Sequence, residues 1–130
     1  MDMNAMIPRR PYLLRAMFDW IVDNELTPYI LVDATVAGVI VPSEFVQNNK
    51  IILNIAPQSV GQYSCSNDKI EFNARFGGTP HHIIVPMAAI EAIYAKENAI
   101  GMGFEKEPHY DEPPKEEPKK KPAGNPFRIV

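Results

Sequence analysis

Residues 69–85 read Lys-Ile-Glu-Phe-Asn-Ala-Arg-Phe-Gly-Gly-Thr-Pro-His-His-Ile-Ile-Val. Polar and apolar side chains alternate from Lys69 to Phe76, the period of a half-buried strand, and apolar character returns over His82–Val85. Gly77-Gly78-Thr79-Pro80 lies between them, and glycine pairs there favour a hairpin connection. The Gly-Gly step is followed by a second strand, not by a helix, so it lacks the helix N-terminus that makes a glycine-rich loop a phosphate cradle. A bare Gly-Gly beside the alternating Asn73-Ala74-Arg75-Phe76 instead permits close approach by another backbone. An extended peptide suits such a surface, held through main-chain hydrogen bonds and shallow side-chain pockets.

Outward from this hairpin the same period predicts strands at Tyr29–Asp33, Val39–Val41 and Ile51–Ile55, separated by Ala37-Gly38, Gln47-Asn48-Asn49-Lys50, Ala56-Pro57 and Asn67-Asp68. Short strands at this spacing predict a mainly β fold, a small antiparallel barrel or sandwich. Pro86 is expected to start a short helix, Met87–Asn98, with Ile90, Ile93 and Tyr94 inward, plugging one end of the barrel. At the other end of the chain, Pro11–Asn24 reads as a helix with Pro11 near its first position. Arg15, Asp19 and Asp23 form a narrow polar stripe on it. Packing one side of a small domain needs about 100° of apolar surface, and this helix has more. The surplus predicts a second copy packed about a two-fold axis, with Leu13, Met17, Trp20 and Ile21 at the dimer interface; the alternative is a helix sunk deep in the monomer core.

Composition separates a body, 1–104, from a tail. Six of the 13 prolines fall after Glu105, and from there to Pro126 the only apolar side chains are Tyr110 and Ala123. So few cannot offset the entropy of ordering the segment, so residues 105–124 are expected to form a disordered tether rich in proline and charge. The tail holds equal numbers of acidic and basic residues, which leaves the net charge of −3 on the body. Such a balance offers no strong field to nucleic acid or to an anionic membrane. Lys119-Lys120-Lys121 follows Glu116-Glu117 and reads as a solvated spacer. Apolar character reappears only in the tip, 125–130, at Phe127, Ile129 and Val130, which reads as weak, reversible docking on a partner or, on composition alone more simply, as a frayed terminus.

Candidate chemistry is sparse. His81 and His82 are adjacent on a strand and point to opposite faces, so they cannot jointly hold a metal ion. Cys65 has no evident activating neighbour, and Ser59, Ser64 and Ser66 lie in no nucleophile elbow. No carboxylate pair is spaced for acid/base work. These features predict neither enzymatic activity, nor a metal, nor a cofactor. A single cysteine, no apolar N-terminal segment and no run of about 20 apolar residues predict a soluble, cytoplasmic protein. The rival to a peptide-binding body is a small-barrel RNA-binding module, against which the body's acidic charge counts.

The stretches PRRPYLLRAMFDW (8–20), ILNIAPQSVG (52–61), FNARFGG (72–78) and VPMAAIEAIYAKENA (85–99), with the C-terminal tip, resemble the stringent starvation protein B (SspB) family, adaptors of the ClpXP protease. The resemblance implies an SH3-like open barrel of short antiparallel strands, an N-terminal helix that mediates homodimerisation, and a groove that binds ssrA-tagged polypeptides. It implies groove residues Asn54, Ile55, Ala56, Asn73, Ala74, Arg75, Phe76, Gly77 and Gly78. It also implies docking of Phe127, Arg128, Ile129 and Val130 on the ClpX N-terminal domain. The tip departs from the family's usual ending: Phe127 stands where leucine is usual, and the final lysine is absent.

Overall fold

The computed structural model describes residues 6–110. They divide into two units, of which Arg10–Phe104 is the larger. Its order is helix α1 (Arg10–Asp23), then strands β1 (Pro28–Asp33), β2 (Lys50–Asn54), β3 (Gly61–Cys65), β4 (Lys69–Phe76), β5 (Thr79–Pro86), β6 (Ile90–Ala95) and β7 (Gly101–Gly103). All strand pairs are antiparallel, in a four-stranded sheet β2-β1-β6-β7 and a three-stranded sheet β3-β4-β5. The expected architecture, mainly β with one N-terminal helix and no closed barrel, is the one observed.

Alternation in the sequence becomes alternation in burial. Ile30 and Val32 on β1, Ile51 and Leu53 on β2, Ile70 and Phe72 on β4, and Ile83 and Val85 on β5 all turn into the core. Helix α1 adds Leu14 and Ile21. It ends where Glu25 adopts a left-handed conformation (φ 61°), with Leu26 N–H donating to Ile21 O and Glu25 N–H to Val22 O. Both are the bonds of a Schellman cap. At its other end Arg10 is buried, and its Nη1 donates to the carbonyl oxygens of Met87 (3.0 Å) and Ile90 (3.1 Å). Phe18 stacks on Tyr63 of β3 with ring centroids 5.3 Å apart, tying the helix to the smaller sheet.

Three expectations are corrected. Met87–Asn98 is not a helix: Met87–Ala89 form a 3-10 turn and Ile90–Ala95 are strand β6, between β1 and β7. The register shifts between Leu31 and Val32, which face Ala92 and Ile90, so Glu91 is the extra residue of a bulge. That insertion stretches the spacing of the buried residues to Ile90, Ile93 and Ala95, which imitates a helical period. Tyr94 points to the other face, in edge contact with Tyr29. Secondly, Val39–Val41 is no strand; Ile40 alone bridges to Ile84. Thirdly, β3 and β7 were not expected, since Gly61-Gln-Tyr-Ser-Cys65 and Gly101-Met-Gly103 are too polar or too short to show a period.

The smaller unit comprises, among the described residues, 6–9 and 105–110. Arg9 N–H donates to Glu107 Oε2 at 2.8 Å, and the Arg9 guanidinium pairs with Glu105 at 3.2 Å. Pro108–Tyr110 form a 3-10 turn. The first six residues of the expected tether therefore have local structure; the rest of it, and the tip, lie outside the described residues.

Candidate functional site

The β4–β5 hairpin turns at Gly77 and Gly78, whose φ angles of +59° and +83° need glycine or a close substitute in a two-residue turn. The strands run on past the core. Because Ile70 and Phe72 face inward, so do Ala74 and Phe76, but these two remain half-exposed. His81, the cross-strand partner of Ala74, stands edge-on to Phe76 at 5.7 Å. Phe45, from the 3-10 turn Ser43–Phe45, packs on the other side of Phe76 at 5.3 Å. The result is an open apolar shelf walled by Phe45, Phe76 and His81, with the small Ala74 leaving room above its floor.

Asn73 and Arg75 point to the opposite face. There His82 spans two partners: its Nε2–H donates to Glu71 Oε2 at 2.6 Å, and its Nδ1 lies 2.7 Å from Asn73 Oδ1. Asn73 Nδ2–H reaches Gln62 Oε1 at 2.5 Å, so one polar row ties all three strands of the smaller sheet together. The hydrogen bond from His82 holds the Glu71 carboxyl below its ordinary range, with Lys69 adding to the effect. Arg75 Nη1 donates to Gly78 O at 3.0 Å and braces the turn.

Asn54 ends β2, in the other sheet, and Ile55 and Ala56 follow it. Ile55 and Ala56 are core residues, 0% and 1% exposed, which leaves their side chains no part in a surface. Asn54 is exposed, and its Oδ1 accepts from Ala56 N–H at 2.9 Å. From Ala56 the chain needs five residues to reach Gly61, opposite Asn73, a span of at most about 18 Å. The nine residues expected in one groove are thus divided between two sheets, and those of β4 between two faces. Phe45 and His81 join the shelf unforeseen. Phe45 is brought in by tertiary packing, for which no local pattern exists; His81 is betrayed only by its place opposite Ala74.

On α1, Leu13 and Met17 are half-buried and Trp20 is 51% exposed, while Ile21, expected beside them, is 1% exposed and belongs to the core. Trp20 and the exposed Ile100 rim a dimple of about 140 Å³ completed by Asn24, Leu26, Ala95 and Asn98. Burial pushes the Cys65 thiol up, more than the nearby Arg15 guanidinium lowers it, the opposite of what activates a nucleophilic cysteine. Among the described residues no helix is long and apolar enough to cross a membrane, and no three His, Cys, Asp or Glu side chains are grouped to hold a metal ion.

The sequence profile described as stringent starvation protein B matches residues 8–126, nearly the whole chain. The chain is also similar to a stringent starvation protein B homolog of Haemophilus influenzae, with 50% identity over 117 residues, covering 90% of this chain and 78% of that one. A match of this extent spans the helix, both sheets and the hairpin shelf together, and on it the chain belongs to the stringent starvation protein B family.

Proposed function

We propose that this protein is a dimeric adaptor that binds ssrA-tagged polypeptides and tethers them to ClpX for degradation by ClpXP. Membership of a family of non-catalytic, adaptor-type proteins is the observation that carries this reading. The half-exposed shelf at Ala74, Phe76, His81 and Phe45 supports it, since it offers an extended peptide an apolar floor beside a glycine turn. Trp20 and its dimple supply an apolar patch for the second copy.

In this mechanism the shelf holds the tag, and the C-terminal residues Phe127, Arg128, Ile129 and Val130 dock on the ClpX N-terminal domain. Docking raises the local concentration of the tag at the unfoldase, and two copies of each contact per dimer add avidity to weak individual ones. The body performs no chemistry. Its output is a lowered apparent KM of the protease for tagged substrates, with kcat little changed.

Fluorescence anisotropy with a labelled ssrA peptide, beside a ClpXP degradation assay on a tagged substrate, tests this reading. Deleting residues 125–130 is expected to leave peptide affinity intact and to abolish the stimulation. Full stimulation by the truncated protein would refute tethering. Salt-sensitive RNA binding without peptide binding would favour the RNA-binding alternative.

A further inference from the structure

Every open sheet has two edges, and natural proteins blunt them against unwanted pairing. Three of the four edges here are blunted. On β5, Ile84 exchanges backbone hydrogen bonds with Ile40 at 2.9 and 3.0 Å, and Pro80 and Pro86, whose backbones face outward with it, have no N–H to offer. β3 is broken by a register shift between Gly61 and Ser64 and by the left-handed Gln62 (φ 52°). β7 is three residues long, and two of them are glycine.

Strand β2 is different. Its register with β1 is regular throughout, Tyr29 facing Asn54 and Asp33 facing Lys50. The ladder is flanked by Ile55 N–H donating to Pro28 O and Ala34 N–H donating to Asn49 O. In an antiparallel pair, hydrogen-bonded and non-bonded partners alternate. Ile51, Leu53 and Ile55 therefore direct their backbone groups toward β1, and Lys50, Ile52 and Asn54 direct theirs outward. Lys50 exchanges both its bonds with Gln47, at 2.8 and 2.9 Å. The chain thus makes the first bridge of an added strand, then leaves for the 3-10 turn at Ser43–Phe45. Among the described residues the N–H and C=O groups of Ile52 and Asn54 have no backbone partner. Ile52 is 52% exposed, beside the half-buried Leu31 on the same face of the sheet.

We propose that the open edge of β2 takes an extended peptide as a fifth, antiparallel strand, continuing the pairing that Gln47 begins, with alternate peptide residues bonded to Ile52 and Asn54. This deepens, and rests on, the peptide-binding reading above, the edge being joined to the shelf through Phe45, two residues before Gln47. The peptide residue paired with Ile52 carries an apolar side chain, which packs on Ile52 and Leu31. The residues two apart that donate to Ile52 O and Asn54 O are neither proline nor N-alkylated, and the residue between them is free to be either.

Amide hydrogen exchange of the full chain, with and without the ssrA peptide, tests this, together with a scan of that peptide by single backbone N-methylation. Ile52 and Asn54 amides are expected to become protected on binding, while Ile51 and Leu53 are protected throughout. N-methylation is expected to weaken binding about tenfold at two positions separated by one tolerant position. Ile52→Pro, which removes the outward N–H from an edge, should give a similar loss. The wild-type exchange data decide the matter if that variant misfolds. Peptide binding that leaves both amides unprotected overturns the edge proposal and leaves the adaptor reading standing. Absence of any peptide binding removes the adaptor reading, and this proposal with it. Protection that rises with protein concentration without peptide assigns the edge to a second copy and likewise overturns the proposal.

Discussion

Ala74 and Gly101 show how much can depend on a missing side chain. A Cβ on Gly101 would lie 2.1 Å from Ile93 O and 2.4 Å from Tyr94 Cα, both backbone atoms of the neighbouring strand, so the β6–β7 pairing excludes any other residue. Gly101→Ala is expected to destabilise the fold by about 3 kcal/mol, read as a lower urea midpoint with unchanged slope. Ala74 does its work outside the core. Ala74→Gln fills the space between Phe76 and His81 and is expected to weaken ssrA-peptide binding by about 2 kcal/mol, roughly thirtyfold, at unchanged thermal stability. Unchanged affinity would move the site away from the shelf. The alternation Asn73-Ala74-Arg75-Phe76 was legible as strand, and with it the hairpin turn. Its division into two faces was implicit in the same alternation, but not that Ala74 and Phe76 run past the core and stay half-exposed.

Among the elements, β1, β2, β4 and α1 announce themselves by period within one or two residues of their observed bounds. β6 misleads, because one bulged residue converts a strand's spacing into a helix's, and Ala88, Ala89, Ala92 and Ala95 add helical propensity. Pairing with β1 on one side and β7 on the other overrides that local preference. The surplus apolar surface of α1 was also legible, although Ile21 was assigned to the wrong side of it. Trp20→Asp is expected to raise the dissociation constant of the proposed dimer at least about a hundredfold, since a charge buried without a partner is costly. Sedimentation would report monomers, and circular dichroism an unchanged fold. Persistence of the dimer would exclude this face as the interface.

At the scale of the whole molecule, acid stability depends on a few carboxylates tied to local partners. The Thr27 hydroxyl, donating to Glu97 Oε2 at 2.6 Å, holds the Glu97 carboxyl below its ordinary range; His82 does the same for Glu71 and Thr35 for Asp33. A carboxyl whose folded-state pKa is depressed stabilises the fold above its unfolded value and loses that contribution as the pH falls through the folded one. The urea midpoint is therefore expected to fall as the pH drops through and below the ordinary carboxylate range. Thr27→Val should lower the midpoint at neutral pH and flatten that decline. An unaltered pH profile in this variant would show that the Glu97 bond contributes nothing measurable.

Arg10 sets a condition on how the chain comes into being. The carbonyl of Ile90, which it grips, lies 80 residues downstream, and that of Met87 lies 77. A ribosome adding about 5–20 residues per second leaves α1 without its seat for roughly 4–16 s. During that interval the helix can meet β1 and, later, Tyr63, but not β6. The helix made first thus waits for nearly the whole body, and a nascent chain stalled before Met87 would hold it without the carbonyls that grip Arg10.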